Sequence, residues 1–582
     1  MYKLNNSFIG LQLYNLTRKY QLFVLFGVVV GVLVLSNITF SYVADWLDLV
    51  PELKARVDIS KLSEDAKNAV EKDIKDEEIQ SITQEAAPEI WLSLLGLVLG
   101  TLIIVISIAS QSTPKLIDLY IQDRTSILFV WFLVVGQIHI LYLRYFAHYA
   151  YGNREMYHFI KKSVFLNTYI LLPLALAMSI PYVLYILRYT KTRNVIEKIY
   201  QGNLERIALI QLHSKLGSFS NSKLVQLFQY EMFEALNQLD DLLTYVTFKE
   251  PKGDILHKIS LSIQTYISSK KNFAEEFFKI SPKIRGDISF KTMTNQFEEM
   301  ERTRTFYEQK GFRMLGNAYL NLIEANYFDL ASLCVSELAS CGKAAIDAED
   351  YPLVSAVLVR FNTFLRFGIK HGLRHGEARN LYNSIFHYSD FLTYVVRTKN
   401  QEIIRNGCKY LNIYVREIYR HSQQKEPSFI FLVDVFTWEM KKILIQLESD
   451  GLPLEFQEEM LGLFMQIDNL SDGDLSQAKK YNDGVRMLQV ALSLYYIRKK
   501  QYSLAKVIIE DIANDAKYMG EKAIRNAVEA TCHRLRISSP TFWEDTDRGN
   551  SNLYFSPDKE YIPAFLDIFE KKLLEVTAEK NI

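Results

Sequence analysis

The chain has 582 residues with 67 basic and 67 acidic side chains, so its formal net charge is zero, which excludes a nucleic-acid binder held by bulk electrostatics. Its 24 glycines and 13 prolines are about 4% and 2% of the chain, against roughly 7% and 5% in average usage, so the punctuation of a turn-rich β fold is scarce. An all-α chain is expected. Long uncharged runs crowd the first third while mean hydropathy is only −0.02, the profile of a multi-pass membrane protein with a large water-soluble remainder.

Crossing a bilayer core takes roughly 20 helical residues, and four segments meet that length: 21–43, 90–110, 126–147 and 164–187. The fourth contains Pro173 and Pro181, which neighbouring helices tolerate within a bilayer. Lys3, Arg18 and Lys19 precede the first span, whereas 44–89 carries thirteen carboxylates against six basic groups. The positive-inside rule reads the basic cluster and places residues 1–20 in the cytoplasm. The same scheme puts 44–89 and 148–163 outside, 111–125 inside as a connector, and everything after 188 inside. Arg188, Lys191, Arg193 and Lys198 agree with it; Arg154, Lys161 and Lys162 fit less well. Within the first outside loop, Ile59, Leu62, Ala66, Ala69, Val70 and Ile74 are spaced as on an amphipathic helix. The cysteines Cys334, Cys341, Cys408 and Cys532 all fall in the inside part, where reduced structural thiols belong.

The run Ser107–Arg124 (SIASQSTPKLIDLYIQDR) resembles the hallmark of a bacterial family of predicted membrane proteins of unknown function, in which a span ends in a Ser-Gln-x-x-Pro-Arg-like turn followed by an Asp-Arg pair. The matching positions are Ser110, Gln111, Pro114, Asp123 and Arg124, with Lys115 in place of arginine. The resemblance covers about 90–190 and implies a location in the bacterial inner membrane and no assigned activity. Read physically, Thr113 caps a short helix beginning at Pro114, where a missing N–H costs nothing. The plain account of this connector is a capped loop anchoring two spans; the sharper one is a pore mouth.

Gly27 and Gly31 in the first span, and Gly96 and Gly100 in the second, give GxxxG spacings that let helix backbones approach closely in lipid. Packing within the bundle is the default expectation and a homo-oligomeric seam the bolder one. Polar groups in a bilayer are costly and usually face a partner or water, so Gln137 and His139 are the best intramembrane candidates, with Ser107, Ser110 and Gln111 as a potential extension of the polar line. For His139 a purely structural interhelical hydrogen bond is the plainer alternative.

Beyond Tyr189 the chain reads as successive amphipathic helices: a linker region over 188–310, then a repeat-like domain over 311–582. The stretch Leu224 to Leu243 carries one apolar stripe. In ALSLYYIRKKQYSLAKVIIEDI, the positions Leu492, Tyr496, Tyr502, Ala505, Ile509 and Ile512 resemble the packing residues of a tetratricopeptide-type hairpin. Leu315-Gly316-Asn317-Ala318-Tyr319 begins like another, although Ala331 then arrives late, and the resemblance implies an α-solenoid. His371 and His375 have ligand spacing, but Gly372 and Gly376 suggest a turn and no acidic ligand is fixed nearby. Phe542 to Gly549 reads as a polar turn.

No P-loop, dinucleotide fingerprint, HExxH, GxSxG or EF-hand spacing is present, and no metal or cofactor is expected. The leading expectation is a non-enzymatic protein held in membrane lipid whose cytoplasmic helical domain docks a partner protein, as a scaffold or sensor. The alternatives are an oligomeric ion channel or transporter, and a membrane-tethered enzyme with an unrecognised site.

Overall fold

Apolar runs of this length fold as helices because a helix satisfies its own backbone hydrogen bonds whatever surrounds it. The computed structural model describes residues 21–47, 86–112, 123–149, 154–189, 191–290, 294–424, 429–468, 482–546 and 549–579. They form two compact units, one of the described residues up to Gln201 together with Asn237–Thr247, the other of Gly202–Leu236 and the described residues from Phe248 onward. The amphipathic pattern from Ile59 to Ile74 in the first outside loop lies outside the described residues.

In the first unit, α1 (Gln21–Leu47), α2 (Ala87–Ser112) and α3 (Arg124–Tyr149) contain the first three expected spans. The fourth is longer than expected. It starts with α4 (Arg154–Phe165), passes through a π-helical turn (Leu166–Leu171) and continues as α5 (Leu172–Tyr189), so most of the expected 148–163 loop is helical. Pro173 explains the wider turn, because it has no N–H for the carbonyl four residues back and its ring crowds that carbonyl. Trp91, Val98, Leu133, Ile140, Val164 and Ala175 form the centre of the core. Helix α1 lies against α3 and α4, with Phe26 4.7 Å from Trp131 and Phe40 6.1 Å from Phe165, ring centre to ring centre. Large apolar side chains also cover the outward faces: Leu35, Ile103 and Ile180 are each more than 60% exposed, which is compatible with a surface that meets lipid.

Among the described residues, five helices are long and apolar enough to cross a membrane: these four and α11 (Tyr351–His375) in the second unit. The fifth, absent from the sequence expectation, is the least apolar, and half of it is buried against other helices.

Residues 192–201 of α6 (Thr192–Lys215) and 237–245 of α7 (Ser222–Tyr245) belong to the first unit and the remainder of each helix to the second. The second unit continues with α8 (Lys249–Ser269), α9 (Phe306–Glu324), α10 (Phe328–Asp347), α11, α12 (Arg379–Val396), α13 (Gln401–Gln424), α14 (Ile430–Ser449), α15 (Leu454–Met465), α16 (Asp483–Arg498) and α17 (Tyr502–Asn514). Helices α8, α10, α12, α14 and α16 pack in succession as one layer, and α9, α11, α13, α15 and α17 as the other. This is an α-solenoid, in which each helix rests on its sequence neighbour and on the next helix of its own layer.

Five of the turns follow one pattern. Asn326, Glu349, Gly376, Gly451 and Lys500 take positive φ. In each case the following N–H closes on a carbonyl five residues earlier, as from Tyr327 to Leu322 at 2.8 Å and from Gln501 to Tyr496 at 2.9 Å, the Schellman closure of a helix end. Helix α11 therefore runs through Gly372 and ends at His375, with the turn at Gly376 alone. Five of the six tetratricopeptide-like positions in α16 and α17 are buried, whereas Tyr502 is half exposed. Gly342 lets α10 and α12 cross closely: a Cβ there would lie 2.4 Å from Phe391 Cε2.

The end of the solenoid is covered by α18 (Glu521–Ile537) and α19 (Ile562–Glu579). Between them Thr541–Thr546 and Gly549–Ser551 pair as a small antiparallel hairpin, β1 and β2, where a polar turn was expected. After it, Tyr554 Oη donates to Asp434 Oδ2 on α14 at 2.8 Å. Burial raises Asp434 from 3.8 to about 6; the Tyr554 hydrogen bond opposes this and the Asp483 charge adds to it. Because the folded carboxyl binds its proton more tightly than the unfolded one, its contribution to stability is complete below about pH 4 and is lost as pH rises through about 6. Asp434→Asn is expected to unfold at higher temperature than the wild type at pH 7.5, by up to about 3 kcal/mol, and to match it at pH 4. A pH series of thermal unfolding reads both.

Candidate functional site

The first unit contains a polar node inside its apolar core. Trp91 on α2 is fully buried, and its indole lies flat against Gly136 on α3, where a Cβ would come within 2.6 Å of the ring. Its Nε1–H donates to Asn167 Oδ1 at 2.8 Å. An indole N–H is only a donor, so this bond fixes which way the Asn167 amide faces. The Asn167 Nδ2 then donates to the Gly136 carbonyl at 3.2 Å and to His139 Nδ1 at 3.0 Å. His139 Nδ1 must therefore accept, and an imidazolium would set donor against donor.

Asn167 sits in the π-helical turn, and this turn aims its amide at α2 and α3 together. Neither Asn167 nor Trp91 stood out in the sequence. The available signal was an asparagine inside an apolar run, the same signal that singled out His139.

The remaining intramembrane candidates do not join this node. Gln137 is half-buried, and its Oε1 has no hydrogen-bond partner among the described residues. Ser107 is exposed on the outward face of α2. Ser110 and Gln111 lie in the last turn of α2, with side chains outside the described set. Gly27, Gly31 and Gly96 are exposed and Gly100 is half exposed; a Cβ on any of the four meets nothing within 4 Å. Close packing within the bundle, the default expectation for these glycines, is thus not made at them among the described residues.

Pro114 and Lys115 of the connector lie outside the described residues. Asp123, which follows them, is 7% exposed and caps α3: its Oδ2 accepts from the Ser126 N–H at 3.0 Å and the Ser126 hydroxyl at 2.8 Å. Its Oδ1 accepts from Tyr185 Oη of α5 at 3.0 Å and Lys198 Nζ of α6 at 2.9 Å. One carboxylate thus joins three helices of the first unit. Burial works against its ionisation, but the Lys198 and Ser126 hydrogen bonds outweigh it and hold the pKa below the usual value. Arg124 opens α3, its side chain outside the described set. Asp123→Ala removes the cap and leaves Tyr185 and Lys198 without their acceptor. A loss of about 2 kcal/mol is expected, read from the thermal unfolding of the detergent-solubilised chain.

In the second unit the rings of His371 and His375 lie 4.4 Å apart, but among the described residues no group of three or more His, Cys, Asp or Glu is placed to hold a metal. The four cysteines are buried free thiols. Burial pushes Cys341 and Cys408 up to about 12, which suits structural rather than reactive groups. The fold and these sites define the class: an all-α protein with a set of apolar, membrane-length helices near its N-terminus followed by a helical domain. No family model, no curated protein and no solved structure matches the chain.

Proposed function

We propose that this is a non-enzymatic multi-pass membrane protein whose α-solenoid docks a partner protein, acting as a membrane-linked scaffold or sensor. The observation that carries the reading is the two-layered helix stack of the second unit, an architecture that offers long continuous surfaces for binding. The apolar outward faces of α1 to α5 support anchoring in lipid, and the bonds of His139 to Asn167 favour a structural over a conductive role for that histidine. The basic residues Lys3, Arg18 and Lys19 support an N-terminus in the cytoplasm of a bacterial inner membrane; an even number of crossings returns the solenoid to the same side.

The test uses the full-length chain in its native membrane with a photo-crosslinking residue at Val359 or Ile413, both exposed on the solenoid. A discrete, reproducible protein adduct is expected from the solenoid positions and not from lipid-facing Leu35. Absence of any adduct across a scan of exposed solenoid positions would remove the docking reading. A homo-oligomer is the second reading, favoured by the open glycine faces of α1 and α2. Light scattering of the solubilised chain decides it, since a monomeric mass would exclude it.

A further inference from the structure

At several places on the solenoid, exposed charges are paired across neighbouring helices. Lys249 Nζ of α8 lies 2.9 Å from Asp329 of α10, Lys343 Nζ of α10 lies 2.7 Å from Asp390 of α12, and Arg405 Nε of α13 lies 2.7 Å from Glu459 of α15. Helix α11 departs from this. Its 25 residues include no carboxylate, in a chain whose basic and acidic side chains number 67 each. Arg366, Lys370 and Arg374 follow one another at one-turn intervals and share a face with Val359. All four are exposed. Among the described residues none of the three cations forms an ion pair; Arg366 rests on the ring of Phe367, 5.4 Å from its centre.

Helix α13 repeats the pattern beside it. Tyr414 Oη donates to the Asn362 carbonyl of α11 at 3.1 Å, which sets the outward faces of the two helices next to each other. On α13 that face carries Ile413 between Lys409 and Arg416. Of the two carboxylates on α13, Glu402 lies in the first turn and Glu417 is already held by Arg420 and His421.

Exposed cations by themselves mark a solvated face. Here two large aliphatic side chains stand among them: Val359 and Ile413 are each 57% exposed, apolar area that gains from being covered. One sign of charge and an apolar pair on adjacent helices call for a partner with the complementary pattern.

We propose that the docking surface of the solenoid is this α11–α13 face and that its occupant is an acidic amphipathic helix of the partner protein. Its carboxylates meet Arg366, Lys370, Arg374 and Arg416, and its apolar edge rests on Val359 and Ile413. A helix presents such groups at the same one-turn spacing as α11, and opposite charge steers the encounter and fixes the register. The assignment rests on the docking reading and adds to it the face and the chemistry of the partner.

The full-length chain in phosphatidylcholine nanodiscs would be titrated with a fluorescent helical peptide of leucines and glutamates, its leucines along one edge, with empty nanodiscs as the blank. The same peptide with lysine in place of glutamate is the charge control. Saturable binding of the glutamate peptide alone is expected. Arg366→Glu, Lys370→Glu and Arg374→Glu together should weaken it about tenfold or more, and the corresponding glutamine set should weaken it less. The same charge reversal at Lys223, Lys506 and Lys522, exposed elsewhere on the unit, should leave it unchanged. No saturable binding, or equal weakening by the two reversed sets, overturns the proposal.

Photo-crosslinking from Val359 and Ile413 in native membranes separates this assignment from the docking reading beneath it. A protein adduct at these positions that the Arg366→Glu, Lys370→Glu, Arg374→Glu set abolishes supports the assignment, and one that the set leaves intact overturns it. Protein adducts only from other solenoid positions, or lipid adducts at these two, would overturn the assignment alone. No protein adduct from any solenoid position would remove both.

Discussion

Replacing Arg486 with methionine is expected to open the C-terminal part of the solenoid at a cost of about 3–5 kcal/mol, the usual penalty for breaking a buried ion pair from one side. The guanidinium is fully buried on α16, with Nη1 2.5 Å from Asp511 and Nη2 2.6 Å from Asp515. Asp468 lies 3.5 Å from its Nε and is itself buried. Burial alone would drive the arginine toward neutrality, but Asp468, Asp515 and Asp511 more than reverse that and keep it charged. Without it, the buried carboxylates of Asp468 and Asp515 would lose the guanidinium they face. Amide hydrogen exchange in α16 and α17 should quicken by about a hundredfold to a few thousandfold, while α9 and α10 remain protected, because solenoid stability is carried between neighbouring repeats. Arg486→Met combined with Asp468→Asn and Asp515→Asn should recover part of the loss. Unchanged exchange in the single variant would show that the carboxylates do not depend on Arg486.

Gly136→Leu is expected to disrupt the first unit by a comparable amount, about 3–5 kcal/mol, because it displaces a buried tryptophan. A Cβ at this position would already stand 2.6, 2.7 and 2.9 Å from three atoms of the Trp91 ring. The ring cannot slide aside without breaking its bond to Asn167, and that bond orients the amide for Gly136 and His139. The substitution therefore removes packing and releases a set of buried polar groups in one step. Asn167→Leu separates the two effects, since it deletes the hydrogen bonds and keeps the glycine; a smaller loss, about 1–3 kcal/mol, is expected. Unfolding of both variants in mixed detergent, followed by tryptophan fluorescence, would rank them, and equal losses would contradict the packing account.

Much of this architecture could be read before any coordinate was known, but unevenly. The expected first three spans lie inside α1, α2 and α3, because length and apolarity are properties of a single segment. The helical character of residues 154–163 was missed, since Arg154, Glu155, Lys161 and Lys162 gave them the polarity of a loop. Helix α11 was not among the expected spans yet meets the length and apolarity criteria; half of it is buried against protein. The solenoid turns were hidden because Asn326, Glu349 and Lys500 adopt the left-handed conformation that a search for glycine would overlook. The β1–β2 hairpin is short and rich in polar side chains, so TFWEDT offered no apolar alternation to follow.

The candidate site divides in the same way. His139 could be singled out as a polar group in an apolar run. Its partner could not, because the meeting of Asn167, His139 and Trp91 depends on how three helices are rotated about their axes. Asp123 was noticed as half of an Asp-Arg pair, whereas its work is to cap α3 and to hold Tyr185 and Lys198. Arg366 carried no signal as one basic residue among several on its helix.

The amino-acid order by itself determined that the chain is helical, that its apolar runs lie near the N-terminus and are long enough to cross a bilayer, and that its remainder can stack as amphipathic hairpins. Those properties arise from side chains within a turn or two of each other, where helix propensity and hydropathy act. The tertiary structure alone decided which face of each helix turned inward, and so which polar groups met. Asp434 and Tyr554 are separated by 120 residues and Trp91 and Asn167 by 76, and contacts over such separations form only when whole helices pack.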